Sequence, residues 1–346
     1  MLIKYSAFIL PHIGDKYQQC ADRFNYNETN QCFAIADGVG NSLFPSEWSQ
    51  LLCDDFVKHP TSFIEEDHLQ REDELIKEWE KQREVKITNL SEDEKFIFEV
   101  GLEKADFAAS TFVGLSLDKS GWNCQAIGDS YLFLVDEKYN ITKKVASMDG
   151  HDFDNFPEYF ASKKGQNNGK VVNTAGDYNN VAYFALMTDA LSDWFLEASQ
   201  EKRKELLNLS NHKDYELFID QERQKMILKD DDTTLLVLKI EHNENENLEF
   251  QSSPDRLDDI NNLIKEEKTF EGMNNPKDES KVGILLMDNN KESVETFQNK
   301  EQERKEIEET LKKIKFEHPN YTLKEKTNCI VKLIGFIDKL LYGTSD

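Results

Sequence analysis

A chain of 346 residues that is 32% charged and 38% hydrophobic can bury one sizeable core and still carry a very polar surface. Its 67 acidic residues outweigh 42 basic ones, for a net charge of −25, which argues against nucleic acid, whose phosphates need cations, and against a polybasic membrane surface. No apolar run approaches the roughly 18 to 20 residues of a membrane span, and Met1-Leu2-Ile3-Lys4-Tyr5 lacks a signal peptide's apolar core, so a cytoplasmic protein with no membrane partner is expected.

In chain order, Lys4 to Leu10 alternates and Gln31 to Ala36 is a short apolar run, and both are expected strands. Ser46 to Val57 has Trp48, Leu51, Leu52 and Phe56 at helical spacing, with Ser46 placed to cap it. From about 61 to 104, charges interleave around Leu69, Ile76 and Trp79, the pattern of a charged helical insert. Strand character returns at Ser110 to Leu117 and Trp122 to Val135, joined by a turn at Asp118-Lys119-Ser120-Gly121. Ser147 to Asn180 reads as a long irregular loop, Val181 to Met187 as a strand, Leu206 to Gln224 as a helix and Thr234 to Ile240 as a strand. Beyond residue 243 come charged linkers and helices. The last is signalled by the capping pair Thr322 and Glu325 and the stripe Ile330, Leu333, Ile334, Ile337 and Leu341. This divides the chain into a domain at 1–243 and a mostly helical C-terminal extension at 244–346. The final helix is expected to mediate self-association or partner docking.

The five cysteines are odd in number and contain no C-x-x-C pair. They read as buried reduced thiols rather than a disulfide framework or a zinc site. The aspartates are more informative. Asp22, Asp37, Asp129, Asp189 and Asp231 each adjoin an expected strand or turn. Carboxylates gathered at strand ends suit a hard divalent ion, although Asp in a turn more often only bonds its own backbone. Asp15, Asp54, Asp55, Asp230 and Asp232 are expected to be turn or surface residues.

Five local words occur in a set order: Ala36-Asp37-Gly38-Val39-Gly40, Ala109-Ser110-Thr111, Ile127-Gly128-Asp129-Ser130, Met187-Thr188-Asp189-Ala190-Leu191-Ser192-Asp193, and Asp231-Asp232-Thr233-Thr234-Leu235. Together they resemble the metal-dependent Ser/Thr protein phosphatases of type 2C, in their bacterial form, over roughly residues 1–241. The resemblance implies an α/β/β/α sandwich, of class α+β, in which two antiparallel sheets lie between helices. It implies a site of two Mn²⁺ or Mg²⁺ ions held by Asp22, Asp37, the Gly38 carbonyl, Asp189 and Asp231, with Asp129 and Asp193 matching the third-metal position of many members. The implied reaction is hydrolysis of phosphoserine and phosphothreonine in proteins by a hydroxide bridging the two ions. A phosphoprotein is then the substrate and a Ser/Thr kinase a natural partner.

The sequence departs from the family pattern at the substrate grip. The family's phosphate-clamping Arg falls at Tyr17, leaving Lys16 or Arg23 as candidate cations for the substrate phosphate. Ala190 and Asn41 replace glycines, and Val39 stands where some members carry a His. The missing Arg, the insert and the long extension motivate a second reading, a phosphatase-like signalling or phosphoprotein-binding module of low activity.

Overall fold

The computed structural model describes residues 1–40, 42–60, 68–89, 106–148, 157–241 and 247–253. The expected helices and linkers beyond residue 253, together with Cys329, lie outside the described residues. The chain divides into two units, Met1–Asn275 and Pro276–Asp346, and every described residue belongs to the first.

Strands β1 (Leu2–Leu10), β2 (Arg23–Asn27) and β3 (Cys32–Ala36) lead into helices α1 (Pro45–Lys58) and α2 (His68–Asn89). Then come β4 (Ala109–Ser110), β5 (Phe112–Leu117), β6 (Trp122–Ile127), β7 (Tyr131–Val135), β8 (Ile141–Val145), β9 (Phe160–Ala161), β10 (Val172–Gly176) and β11 (Tyr183–Met187). Helices α3 (Asp189–Glu197), α4 (Gln200–Leu207) and α5 (His212–Gln224) precede β12 (Thr233–Glu241) and β13 (Glu249–Ser252). One sheet has the order β13-β1-β12-β11-β7-β8 and the other β10-β6-β5-β3-β2, with a two-stranded pair of β4 and β9. All pairings are antiparallel except β13 with β1, which is parallel and lies beyond residue 243.

Three apolar layers hold the sandwich together. Between the sheets lie Ile3, Tyr5, Phe33, Ile35, Leu115, Phe184 and Leu236. Phe8, Phe133, Met187, Trp194, Phe195, Phe218 and Leu235 join the six-stranded sheet to α3, α4 and α5. Ala34, Trp48, Phe56, Trp79 and Phe112 join the five-stranded sheet to α1 and α2. Because β3 and β12 are covered on both faces, they read as continuous apolar runs rather than alternating ones. Gly114 of β5 allows the close approach of α1: a Cβ there would sit 2.6 Å from the Phe56 ring.

Four local expectations are corrected. Ser46 does not cap α1; the helix opens at Pro45, whose fixed φ suits the first helical position, and Ser46 Oγ donates to Glu47 instead. The span Leu206 to Gln224 is two helices, broken where the Asn211 side chain caps α5 by accepting from the Asp214 N–H. The stretch 147–180 contains β9 and β10, the latter on the edge of its sheet beside β6. Asp55 is a buried residue of α1 paired with Arg71 of α2, not a turn or surface residue.

Candidate metal centre

The strand register brings the carboxylates to one end of the sandwich. Asp22 immediately precedes β2 and Asp37 immediately follows β3, and these strands pair with Arg23 opposite Ala36. Asp189 follows β11 and Asp231 precedes β12, which pair with Met187 opposite Leu235. Asp129 lies in the turn that carries the chain from β6 in one sheet to β7 in the other.

Backbone and hydroxyl contacts fix these turns. The Asp37 carbonyl accepts from the Thr111 N–H at 2.9 Å and from Ser110 Oγ at 2.7 Å. The Val39 N–H donates to the Ala109 carbonyl at 2.9 Å, so the Ala109-Ser110-Thr111 word pins the Asp37 loop. Thr111 Oγ1 and Ser130 Oγ are 2.7 Å apart, which ties that word in turn to the Asp129 turn. Gly128 has φ +95°, a left-handed conformation that favours glycine, and a Cβ there would meet the Thr111 side chain at 2.6 Å. Gly38 is close-packed too: a Cβ would lie 2.7 Å from Pro45 and 2.9 Å from the Ala21 carbonyl oxygen.

Asp22 is fully buried, and its Oδ2 accepts from Thr188 Oγ1 at 2.9 Å. Thr188 Oγ1 also accepts from the Thr234 N–H at 3.0 Å, so one hydroxyl links two of the words to Asp22. Burial, then the negative charges of Asp232 and Asp189, push the Asp22 carboxyl well above the usual carboxylate range. Burial pushes Asp37 up in the same way, reinforced by Asp22, Asp189 and Asp129. Asp189 is raised to about 7 by burial, Asp231 and Asp129, with Lys229 opposing. These five carboxylates therefore act on one another through poorly screened space.

Asp193 stands apart from the five. It is exposed one turn further along α3, and the charges acting on it come from Glu197 and Lys229. Arg23 is buried, and its Nη1 donates to the backbone carbonyls of Cys20 and Asp22. Lys16 is half-buried in the loop before β2, where its N–H is held by Gln19 Oε1 at 2.9 Å. Tyr17 is buried under α5 and donates its hydroxyl to Glu216 Oε1 at 2.5 Å.

Three residues of the site carry roles that sequence reasoning missed. Thr188 orients Asp22. Lys229 Nζ pairs with Asp231 Oδ2 at 2.8 Å. Asp232 is not an ordinary turn residue: its Oδ1 accepts from the His12 N–H at 3.0 Å and its Oδ2 from the Ala21 N–H at 2.7 Å, stapling the loop before β2 to the start of β12. The available signals were a hydroxyl directly before Asp189 and a Lys heading a run of three aspartates.

Among the described residues, no three His, Cys, Asp or Glu side chains close into a finished metal cage. The chemistry of the donors nevertheless fits a hard divalent ion. Asp22 Oδ1 is buried with no hydrogen-bond partner, while the Asp22 and Asp37 carboxyl groups lie within reach of each other. Two facing carboxylates need a shared proton or a cation between them, and an all-oxygen set suits Mg²⁺ or Mn²⁺.

Comparison with known proteins gives a family match. The sequence model described as Protein phosphatase 2C matches residues 12–229. Among solved structures, the Ser/Thr phosphatase Stp1 from Staphylococcus aureus is 16% identical, with 68% of this chain and 95% of that chain covered and a TM-score of 0.45. PppA from Pseudomonas aeruginosa is 16% identical, with 69% and 98% covered and a TM-score of 0.44. The Ser/Thr phosphatase PstP from Mycobacterium tuberculosis is 15% identical, with 69% and 99% covered and a TM-score of 0.42. No curated protein matches the chain.

Proposed function

The chain belongs to the protein phosphatase 2C family, and from that premise we propose how it acts on its substrate. It is a Ser/Thr protein phosphatase, a hydrolase of phosphoric monoesters, and phosphatases of this kind act on phosphoproteins. In our reading Asp22, Asp37, the Gly38 carbonyl, Asp189 and Asp231 hold two Mn²⁺ or Mg²⁺ ions, with Asp129 and Asp193 available to a third. Bound there, such ions supply hydroxide from water near neutral pH and offset charge on the phosphoryl oxygens.

The residues of the chain set the rest. Thr188 fixes the rotamer of Asp22, and Ser110 with Thr111 fixes the backbone that carries Asp37 and Gly38. Asp22 is fully buried whereas Asp193 is exposed, so the cluster grades from a closed interior at Asp22 to solvent along α3. Val39 offers no proton to the leaving seryl or threonyl oxygen. None of the described cysteines is placed as a nucleophile: Cys20, Cys32, Cys53 and Cys124 are buried, and burial pushes the Cys32 thiol up to about 12. A direct attack by water therefore needs no covalent phosphoenzyme through a thiol.

The observation that most supports this reading is the buried, unpartnered Asp22 Oδ1 within reach of Asp37. The test is hydrolysis of p-nitrophenyl phosphate and of a phosphothreonine peptide across a panel of divalent metals, together with calorimetric Mn²⁺ titration. Wild type should turn over both substrates with Mn²⁺ or Mg²⁺. Asp37→Asn should stay folded, bind Mn²⁺ weakly and lose nearly all turnover. Full activity in that variant, or in chelator, defeats the metal reading. A Ser/Thr kinase acting on the same substrates is the matching partner. Among the described residues, no helix is long and apolar enough to cross a membrane.

A further inference from the structure

We propose that Lys229 is the side-chain cation that grips the phosphoryl group of the substrate. The inference rests on the phosphatase reading above and names the residue that holds the phosphoryl oxygens. A phosphate monoester brings between one and two negative charges, roughly, at neutral pH, and here it must approach five carboxylates. Beyond the charge that bound ions would offset, a side-chain cation beside these carboxylates adds a direct hold on the phosphoryl oxygens.

Lys229 Nζ lies 2.8 Å from Asp231 Oδ2. Its charge also reaches Asp189, Asp37 and Asp193, so this exposed lysine stands beside the carboxylates rather than on a remote face. The segment that carries it is anchored at both ends: Leu228 is buried, and the Arg223 guanidinium donates to the Asp231 carbonyl. The lysine side chain itself is 56% exposed, so its flexible stem can swing without unpacking the core. Two other nearby groups are engaged elsewhere. The guanidinium of Arg23 is buried against the Cys20 and Asp22 carbonyls, and Tyr17 is buried on Glu216. Asp231, the partner of Lys229, is also a candidate metal ligand. A carboxylate that shares its charge with a divalent ion holds an ammonium less tightly, which leaves Lys229 available to a phosphoryl oxygen.

The test uses the full chain with Mn²⁺. Inorganic phosphate is titrated calorimetrically, p-nitrophenyl phosphate kinetics are measured, and Mn²⁺ affinity is measured without substrate. Lys229→Gln and Lys229→Ala should each weaken phosphate binding and raise KM roughly tenfold to a hundredfold, as expected for loss of one charge-assisted hydrogen bond. The value of kcat should change by less than about threefold, since the grip acts on ground state and transition state alike. Lys229→Arg should recover most of the phosphate affinity. A Lys229→Gln protein that keeps phosphate affinity and KM while binding Mn²⁺ more tightly overturns the inference, because Lys229 is then only a counter-ion of Asp231. That result in an active enzyme sinks the inference alone. A wild type that neither hydrolyses the ester nor binds phosphate with Mn²⁺ sinks the phosphatase reading and the inference together.

Discussion

The Thr188 hydroxyl is a single group with two buried obligations: it donates to Asp22 and accepts from the Thr234 N–H. Thr188→Val keeps the shape and removes both, leaving Thr234 N–H and Asp22 short of a partner. We expect a loss of about 1–3 kcal/mol in stability and roughly tenfold or more in Mn²⁺ affinity, read by denaturant unfolding and calorimetry; an unchanged Mn²⁺ affinity refutes the orienting role. Tyr17 gives a contrasting case. Restoring the family residue by Tyr17→Arg places a guanidinium in the layer formed by Phe8, Tyr215 and Phe218. Such a variant should lose stability and gain no phosphate affinity, whereas a lower KM in a well-folded Tyr17→Arg protein shows that the loop can present this position to substrate. The candidate ligands were legible because aspartates beside Gly, Ser or Thr interrupted apolar runs. Thr188 and Tyr17 were not, because their partners lie 166 and 199 residues away in sequence.

Among strands of five or more residues, the mostly buried ones were the legible ones, whereas the two-residue β9, though buried, was too short to show a pattern. The strands β1, β3, β5, β11 and β12 read directly from apolar runs, whereas β2, β8 and β10 did not. Those three are edge strands, half-solvated, with sequences such as Ile141-Thr-Lys-Lys-Val145 whose burial hardly alternates. Packing of α1 depends on one missing Cβ: Gly114→Ala meets the Phe56 ring and should cost about 1–3 kcal/mol, measured by urea unfolding, with Phe56→Leu in the same chain restoring part of it. Glu222 of α5 ties the helices on the other sheet, accepting from Trp194 Nε1 of α3 and pairing with Lys202 of α4 and Lys225. Burial alone would raise its carboxyl, but the bonds from Lys225, Lys202 and Trp194 leave it below its ordinary 4.5. A depressed folded value means stability present above pH 4.5 and lost as pH falls through the lower folded value. The melting difference between wild type and Glu222→Gln should therefore be largest near neutrality and shrink below pH 4.5, and a pH-independent difference contradicts this account.

At the scale of the molecule, the sheet runs past residue 243. The Glu249 N–H donates to the Met1 carbonyl at 3.0 Å, the Ser253 N–H to the Tyr5 carbonyl at 2.8 Å, and β13 covers the outer edge of β1. A chain ending at residue 253 should unfold cooperatively with a melting temperature close to that of the same domain in the full chain. One ending at residue 243 leaves the β1 edge unpaired and should melt lower or self-associate, as thermal melts and light scattering will decide; two truncations that behave identically remove any role for β13. The sheet order has a further consequence, one of timing. β12 lies between β1 and β11, so β1 leaves the ribosome long before the strand that pairs its inner edge. Until residue 241 has emerged, β1 has neither edge paired and β11 has one edge open, an invitation to chaperones. Over the same interval Asp22 lacks Asp232, which staples the loop before β2 to the start of β12. The carboxylate set is therefore complete only once β12 has joined the sheet, and activity is expected to appear with that one late strand.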